Sequence, residues 1–479
     1  MRYFILLLLA FVSINLCAQD NTWIGNTGNW DVQTNWSLGT IPKENHNVKI
    51  TGSSSKVTVP VAFLAVAKSL SVIDNSKLVN NGTITINTLN TFDGIYNNSS
   101  ITNVGTINIS NTGGAGTVGQ GINNFGLFDN DGVIFMGPDI RETGIWNRTG
   151  STFNNNNEIS FTGSITVCGI DAVGGTFNNY GILDNKANTG NAFILVSGSG
   201  KFFNHPCGII NETTSEQITA THLVNSGIIR LKTSLPTTIT SNSGVLVNPN
   251  GSVISGTNTG RIITNANTIV WTGCGQNGST SNAANWVGLT SSQLADGNDH
   301  VIIPTGPMNT GNYPFHTGPG LNMTSTSIIE INENASITFA DINGNAIQSA
   351  GVINLFGEII VQHSSQNGIR ITNTGTLIGG ANSNITVMNV EQNAIRNDGM
   401  INFSGSITTS TNVGASGINN TNEFNLSGSG EIDIIGAEGV GIINNGDFNT
   451  SGNTSVYINA ALGGGFFNQD GGVVKNAGI

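Results

Sequence analysis

The chain alternates. From Ile122 to Met136, the residues Ile122, Asn124, Gly126, Phe128, Asn130, Gly132, Ile134 and Met136 occupy every second position. On an extended chain they share one face, and the residues between them share the other. A helix would need apolar residues three or four apart, and that spacing is missing. The pattern predicts short strands joined by Gly/Asn corners.

The same phrase returns far along the chain. "GINNFGLFDNDG" at 121–132 is answered by "GIINNGDFNTSG" at 441–452. An apolar residue, then Asn two positions on, then often Gly two further on, recurs in the second half. Its members are Ile371-Asn373-Gly375, Ile395-Asn397-Gly399, Ile418-Asn420, Ile442-Asn444-Gly446 and Phe466-Asn468, with Ile347-Ser349-Gly351 as a weaker first member. The steps are 24, 24, 23, 24 and 24 residues. The first half is looser: Leu78-Asn80, Ile95-Asn97, Ile122-Asn124, Ile145-Asn147, Phe177-Asn179, Phe202-Asn204, Leu223-Asn225, Leu246-Asn248 and Ile263-Asn265, at intervals of 17 to 32.

One unit of this size cannot bury its own apolar face, but stacked units can, each adding a rung of parallel strands. The expected fold class is all-β: a parallel β-helix, right-handed, in two consecutive modules. Asn at one repeated position can stack into an amide ladder. Asn373, Asn397, Asn420, Asn444 and Asn468 are expected to form one. Gly and Asn are assigned to the corners because they tolerate positive φ.

A larger duplication sits above the coils. Trp23 and Gly25 match Trp271 and Gly273, and Asn35-Trp36 match Asn285-Trp286, with an offset of 248 residues between the first tryptophans. His46 and His300 follow at similar distances. The modules are therefore set at 19–270 and 271–479. The second reads as cut short inside a coil begun at Phe466, so neighbouring domains of a longer chain are expected.

Composition narrows the function. Only 9% of the 479 residues are charged, 64 are Gly, and the net charge of −12 carries no basic stripe. Nucleic acid is therefore not an expected partner. "MRYFILLLLAFVSINLCAQD" has the shape of a secretory signal peptide: Arg2, a short apolar core, and a cleavage site before Gln19. Residues 1–18 are assigned to it, no transmembrane helix is expected, and the mature chain is placed outside the cell or on its outer surface. Cys168, Cys207 and Cys274 then remain. Cys168 and Cys207, each in a "CGI", are a candidate pair, against three buried thiols as the alternative.

The pattern W-x-G…N-W…P…V-x-I followed by β-helical repeats resembles secreted multi-repeat surface proteins and adhesins of Gram-negative bacteria, many haemagglutinin-like and exported by the type IX secretion route. The resemblance implies an exported, non-catalytic cell-surface protein, a stalk or passenger region. Trp30 has no partner in the second copy, and no sorting domain follows.

Candidate sites are few. Trp23, Trp30 and Trp36 offer flat apolar faces for carbohydrate binding. Their place at a module start equally suits a cap over the first coil. Asp129 and Asp131 are the one tight Asp pair on a recurrent corner and the candidate calcium ligands; no other cofactor is expected. Gly114, Gly116 and Gly119 spell G-x-G-x-x-G, but a coil follows rather than the helix a dinucleotide site needs. Asp129, Asp131, Asp139 and Glu142, beside Arg141, are the nearest candidates for paired carboxylates. The alternatives to a non-catalytic role are a polysaccharide lyase or glycoside hydrolase and a glycan-binding solenoid, with an extracellular glycan or cell surface as partner. A carboxylate cluster on one outer face would favour the enzyme, and an evenly polar face the stalk.

Overall fold

One coil sets the plan. Ile122–Asn124, Leu127–Asn130 and Val133–Met136 are three short strands turned by Phe125-Gly126 and Asp131-Gly132. Ile122, Asn124, Phe128, Asn130, Ile134 and Met136 are fully buried, while Leu127 and Phe135 stand outside. The strands pair in parallel with the coils before and after: Ile122 faces Ile95 on one side and Ile145 on the other. Each coil thus adds one rung to each of three sheets.

The computed structural model describes residues 19–479 except 89–92, 113–118, 187, 190–191, 215, 233–234, 249–251, 264–267, 275–277, 283–284, 288–299, 305–313, 411, 460, 470 and 479. The signal-peptide segment 1–18, and Gly114 and Gly116 of the glycine motif, lie outside the described residues. The fold is an all-β solenoid of about 17 turns, 58% strand. The chain divides into two compact units, Met1–Ala266 and Asn267–Ile479, the boundary falling a few residues before Trp271. Thr268–Trp271 already pairs with His300–Ile303, so that strand belongs to the second unit. The first unit has parallel sheets of 9, 11 and 10 strands. The second has sheets of 10 and 12 strands. The larger folds about the long strand Ser336–Ser349, whose two halves pair with different neighbours.

A buried Asn ladder runs through the second sheet of the first unit. Asn80, Asn103, Asn130, Asn155, Asn179, Asn204, Asn225, Asn242 and Asn258 are linked in sequence, each Nδ2 donating to the next Oδ1 at 2.5–2.8 Å. Two positions before it, Phe128, Phe153, Phe177 and Phe202 stack face to face at 4.6–4.9 Å. A shorter ladder, Asn97–Asn124–Asn147, holds the first sheet. The loose first-half spacing came from merging these two corners, and two members on the third sheet at Leu246 and Ile263, into one series.

In the second unit the ladder is Asn397–Asn420–Asn444–Asn468. Asn373 is not in it. The strand Ile369–Ile371 pairs so that Ile371, not Asn373, faces Asn397, and Asn373 is an exposed turn residue. The true steps from Ile347 run through Ile369, Ile395, Ile418, Ile442 and Phe466.

Positive φ serves some corners, at Gly150, Gly174 and Gly198, but not the Asn-x-Gly corners. No ladder Asn has it, and neither do Gly126 or Gly132. A Cβ on Gly132 would lie 2.0 Å from the carbonyl oxygen of Gly105 in the preceding coil. Glycine is there because coils stack backbone against backbone at the corner. The Asn earns its place by hydrogen bonding: its Oδ1 takes the N–H of the glycine two positions on, as in Asn80–Gly82 at 3.2 Å and Asn397–Gly399 at 3.1 Å.

Both units open on the same capping hairpin. Trp23 bridges Trp36 in antiparallel fashion, and Trp271 pairs antiparallel with Trp286. The Trp36 indole donates to the Trp30 carbonyl at 2.8 Å, and the Trp286 indole to the Thr280 carbonyl at 2.9 Å. Thr280 therefore stands where the first copy has Trp30. His46 and His300 are the first residues of the strands His46–Ile50 and His300–Ile303.

Candidate functional site

The Trp23, Trp30 and Trp36 rings are 2%, 0% and 1% exposed and pack edge to face on one another. Their faces are covered by the core, so as folded they cannot stack on a sugar. Asp129 and Asp131 also answer to the scaffold. Each accepts a side-chain hydrogen bond at 2.7 Å, from Asn154 and Asn156 of the next coil. Among the described residues no group of three His, Cys, Asp or Glu side chains is arranged to hold a metal ion. Asp139 accepts from the Ser164 hydroxyl at 2.9 Å. Cys207 and Cys274 are each disulfide-bonded and Cys168 is not, so the Cys168–Cys207 pairing is not formed. Cys168 is a free, buried thiol, pushed up to about 12 by burial.

The chemistry gathers elsewhere, on the outer face of the first sheet. Strands Ile95–Asn97, Ile122–Asn124, Thr143–Asn147 and Cys168–Val173 lie side by side, and their register puts Tyr96, Asn123, Trp146 and Asp171 in one row. Each row member lies between inward-facing residues, so the two-residue strand period points it outward. The row crosses four rungs, roughly 14 Å at about 4.8 Å per rung. Phe125 and Arg148 lie just beyond the strand ends in their own coils.

Around this row charge is held in a half-buried setting. Asn123 donates to Asp93 at 2.8 Å, and the Gln120 backbone N–H donates to the other Asp93 oxygen at 3.1 Å. The Gln120 side chain donates to Glu142. Arg148 donates from Nε to Asn123 Oδ1 at 3.3 Å, and its guanidinium lies over the Trp146 ring and 5.1 Å from the Phe125 centroid. Phe125 in turn meets Tyr96 at 5.5 Å.

The carboxyls respond to this setting. Burial raises Asp93 above the usual carboxylate range, against hydrogen bonds from Asn123 and Gln120 and the Arg148 charge. Burial and the Asp93 charge raise Glu142. Burial pushes Asp171 up to about 6; the Arg148 charge opposes this and the Glu142 charge adds to it. The Arg148 charge acts on all three carboxyls. The Asp171 Oδ1 and the Trp146 Nε1 are buried atoms without a hydrogen-bond partner.

Of this group the sequence had singled out only Glu142. Tyr96, Asn123, Trp146 and Asp171 were legible in one place, the middle letter of a recurring triplet: Ile95-Tyr96-Asn97, Ile122-Asn123-Asn124, Ile145-Trp146-Asn147 and Ile170-Asp171-Ala172. Half-buried carboxyls, a guanidinium, amides and aromatic rings on one face can bind a polar ligand, and carboxyls raised by burial can also exchange protons with one. No protein-family model matches this sequence, and no curated protein is significantly similar to it.

Proposed function

We propose that the chain is an exported, non-catalytic structural and adhesion solenoid of the cell surface or extracellular space, with its ligand contact on the outer face of the first sheet. The observation that supports this best is the division between inside and outside. The interior is occupied by packing and by ladders that tie each coil to the next. The polar and aromatic cluster sits on the exterior, supported by those coils. Disulfide-bonded Cys207 and Cys274 fit an oxidising compartment. Fractionation and protease accessibility in the producing cell test the location: the chain should be external or shaved from the surface. Finding it only in the cytoplasm would sink the reading.

The cluster itself favours a second reading, a polysaccharide-active enzyme. Burial raises the carboxyls of Asp93, Glu142 and Asp171, the direction of shift that a general acid uses. Incubation with a polysaccharide panel, following new reducing ends and unsaturated products, separates the two. Turnover that disappears in Asp171→Asn would replace the non-catalytic reading.

A further inference from the structure

We propose that Arg370 and Arg396, opposed on neighbouring rungs of the second unit, bind a carboxylate of an acidic saccharide, with the amides of Gln348 and Asn419 completing the contact. This goes beyond the reading above and does not use the cluster on the first unit.

The register makes the row. Gln348 faces Arg370, Arg370 faces Arg396, and Arg396 faces Asn419. Each stands between two buried residues, as Arg396 does between Ile395 and Asn397. The two-residue strand period therefore points all four outward. The row spans roughly 14 Å at about 4.8 Å per rung.

Other outer rows match donor to acceptor. Asn384 donates to Glu358 at 2.8 Å, Asn425 to Asn402 at 2.7 Å and Asn154 to Asp129 at 2.7 Å, each across one rung. At Arg370 and Arg396 two cations meet instead, which is unfavourable between adjacent strands. One carboxylate serves both: each arginine gives its Nε to Asp398, at 3.2 and 3.1 Å. The three groups together keep one positive charge, on a chain whose net charge is −12. Lys56 and Lys77 are also opposed, but both are exposed and their flexible stems can part. The arginines are held in place by Asp398, with side chains 34% and 38% exposed.

The terminal nitrogens are what remains. The hydrogen bonds of each arginine end at Asp398, and its two Nη groups have no protein partner. They stay open to water, unlike the closed Trp146 Nε1 and Asp171 Oδ1. Gln348 accepts from Asn345 on its Oε1 at 2.9 Å and keeps its Nε2. In the Asn419 amide the Oδ1 is closed off, which leaves the Nδ2 as the open end. Four successive rungs thus present N–H donors. A carboxylate takes two parallel N–H bonds from a guanidinium and neutralises the charge left over. The row holds no apolar side chain, so it suits a ligand rich in oxygen acceptors and poor in apolar groups. That is an acidic saccharide rather than an acidic peptide.

Calorimetric titration of the full mature chain with oligogalacturonate at low ionic strength should show binding that weakens as salt is added. Arg370→Met and Arg396→Met should each weaken it about tenfold, through loss of a charged donor. Both keep an apolar stem and should fold, which circular dichroism checks. Arg396→Lys keeps the charge without the fork and should bind between Arg396→Met and the parent. Lys77→Met, which removes a charge from the first unit, should change nothing. Neutral gluco-oligomers and poly-glutamate should bind far less tightly. No binding at millimolar oligogalacturonate, or binding unchanged in both Arg370→Met and Arg396→Met, would overturn the site. An equal loss in Lys77→Met would overturn it in favour of general charge attraction. Poly-glutamate binding as tightly would overturn the saccharide in favour of an acidic peptide, and gluco-oligomers binding as tightly would remove the role of charge. Binding by a chain found only in the cytoplasm would keep this site and discard the surface reading.

Discussion

Asp171 in the first unit and Asp398 in the second invite comparison. Asp171 lies on the outer side of a parallel sheet and Asp398 in the turn just after the strand Ile395–Asn397; each is near an arginine and partly withdrawn from water. Their carboxyls move in opposite directions. Burial pushes Asp171 up to about 6. Burial also acts on Asp398, but hydrogen bonds from Thr421, Arg396 and Arg370 and the Arg396 charge outweigh it, and the net shift is downward. The distances explain why. Asp398 receives Arg370 Nε at 3.2 Å, Arg396 Nε at 3.1 Å and the Thr421 hydroxyl at 2.9 Å. Arg148 spends its Nε on Asn123 and its flat face on Trp146. An arginine nearby therefore does not decide a carboxylate's state; whether it donates to that carboxylate does. The Asp398 carboxylate is fully partnered within the chain. The other cluster leaves the buried Asp171 Oδ1 and Trp146 Nε1 without hydrogen-bond partners.

The comparison holds only if the supporting coils of the two units are equivalent, and the largest expected effects test that. Asn155→Leu in the first unit and Asn420→Leu in the second each remove a buried amide bonded on both sides. Each leaves its ladder neighbours with a bond unmade, so each should cost about 3 kcal/mol. Asn373→Leu, in an exposed turn, should cost almost nothing. Hydrogen exchange by segment reads each unit by itself and is the measurement of choice. Loss of protection in one unit alone, for mutations of equal kind, would show that the interiors are not alike.

The second test is pH. The Asp171 pKa is raised on folding, from about 4 in an unfolded chain to about 6. Between those values the folded state binds the proton that the unfolded state has released, so stability falls as pH rises through this window. Asp171→Asn removes that loss. The variant should be more stable than the parent at pH 7 by about 1 kcal/mol, a figure reduced for the screening of a half-exposed group, and equal to it below about pH 4. Asp398 has the opposite sign. Its lowered pKa contributes stability above the unfolded value, lost as pH falls through the folded one. Asp398→Asn should be less stable than the parent at pH 7 and converge with it in acid. Denaturant melts from pH 3 to 8 would show two difference curves of opposite slope; parallel curves would end the contrast.

How far the sequence revealed these sites depends on what repeats. The inner face repeats, so strand period, ladders and capping hairpins were all readable. Register was harder. The chain offers Ile-x-Asn-x-Gly at Ile371-Asn373-Gly375, but the corner is set by Ile369–Ile371, where an apolar residue replaces the ladder Asn. In the first half, Asn80 and Asn97 are letters of the same kind at different corners, joined to different neighbours. The outer cluster was hidden for another reason. Asp93, Glu142 and Asp171 are tens of residues apart, and only stacking brings them together. The tight Asp129–Asp131 pair looked more like a site because it is local in the chain, yet stacking gives both carboxylates amide partners.

The smallest expected effect is the most pointed test of the contrast. Asp398 is held by two arginines, Arg370 and Arg396, whose side chains are 34% and 38% exposed. Removing one leaves the other, together with the Thr421 hydroxyl, to hold the carboxylate. Exposed pairs of this kind contribute little singly, so Arg370→Met or Arg396→Met should cost about 0.5 kcal/mol. Removing both leaves a mostly buried carboxylate without a cation, and the cost should exceed the sum of the single changes. The Asp398 carboxyl should then move upward and behave like that of Asp171. A double variant whose pH profile still matches the parent would show that Thr421 and the backbone, not the arginines, keep Asp398 ionised. The difference between the two clusters would then have to be sought in burial rather than in arginine geometry.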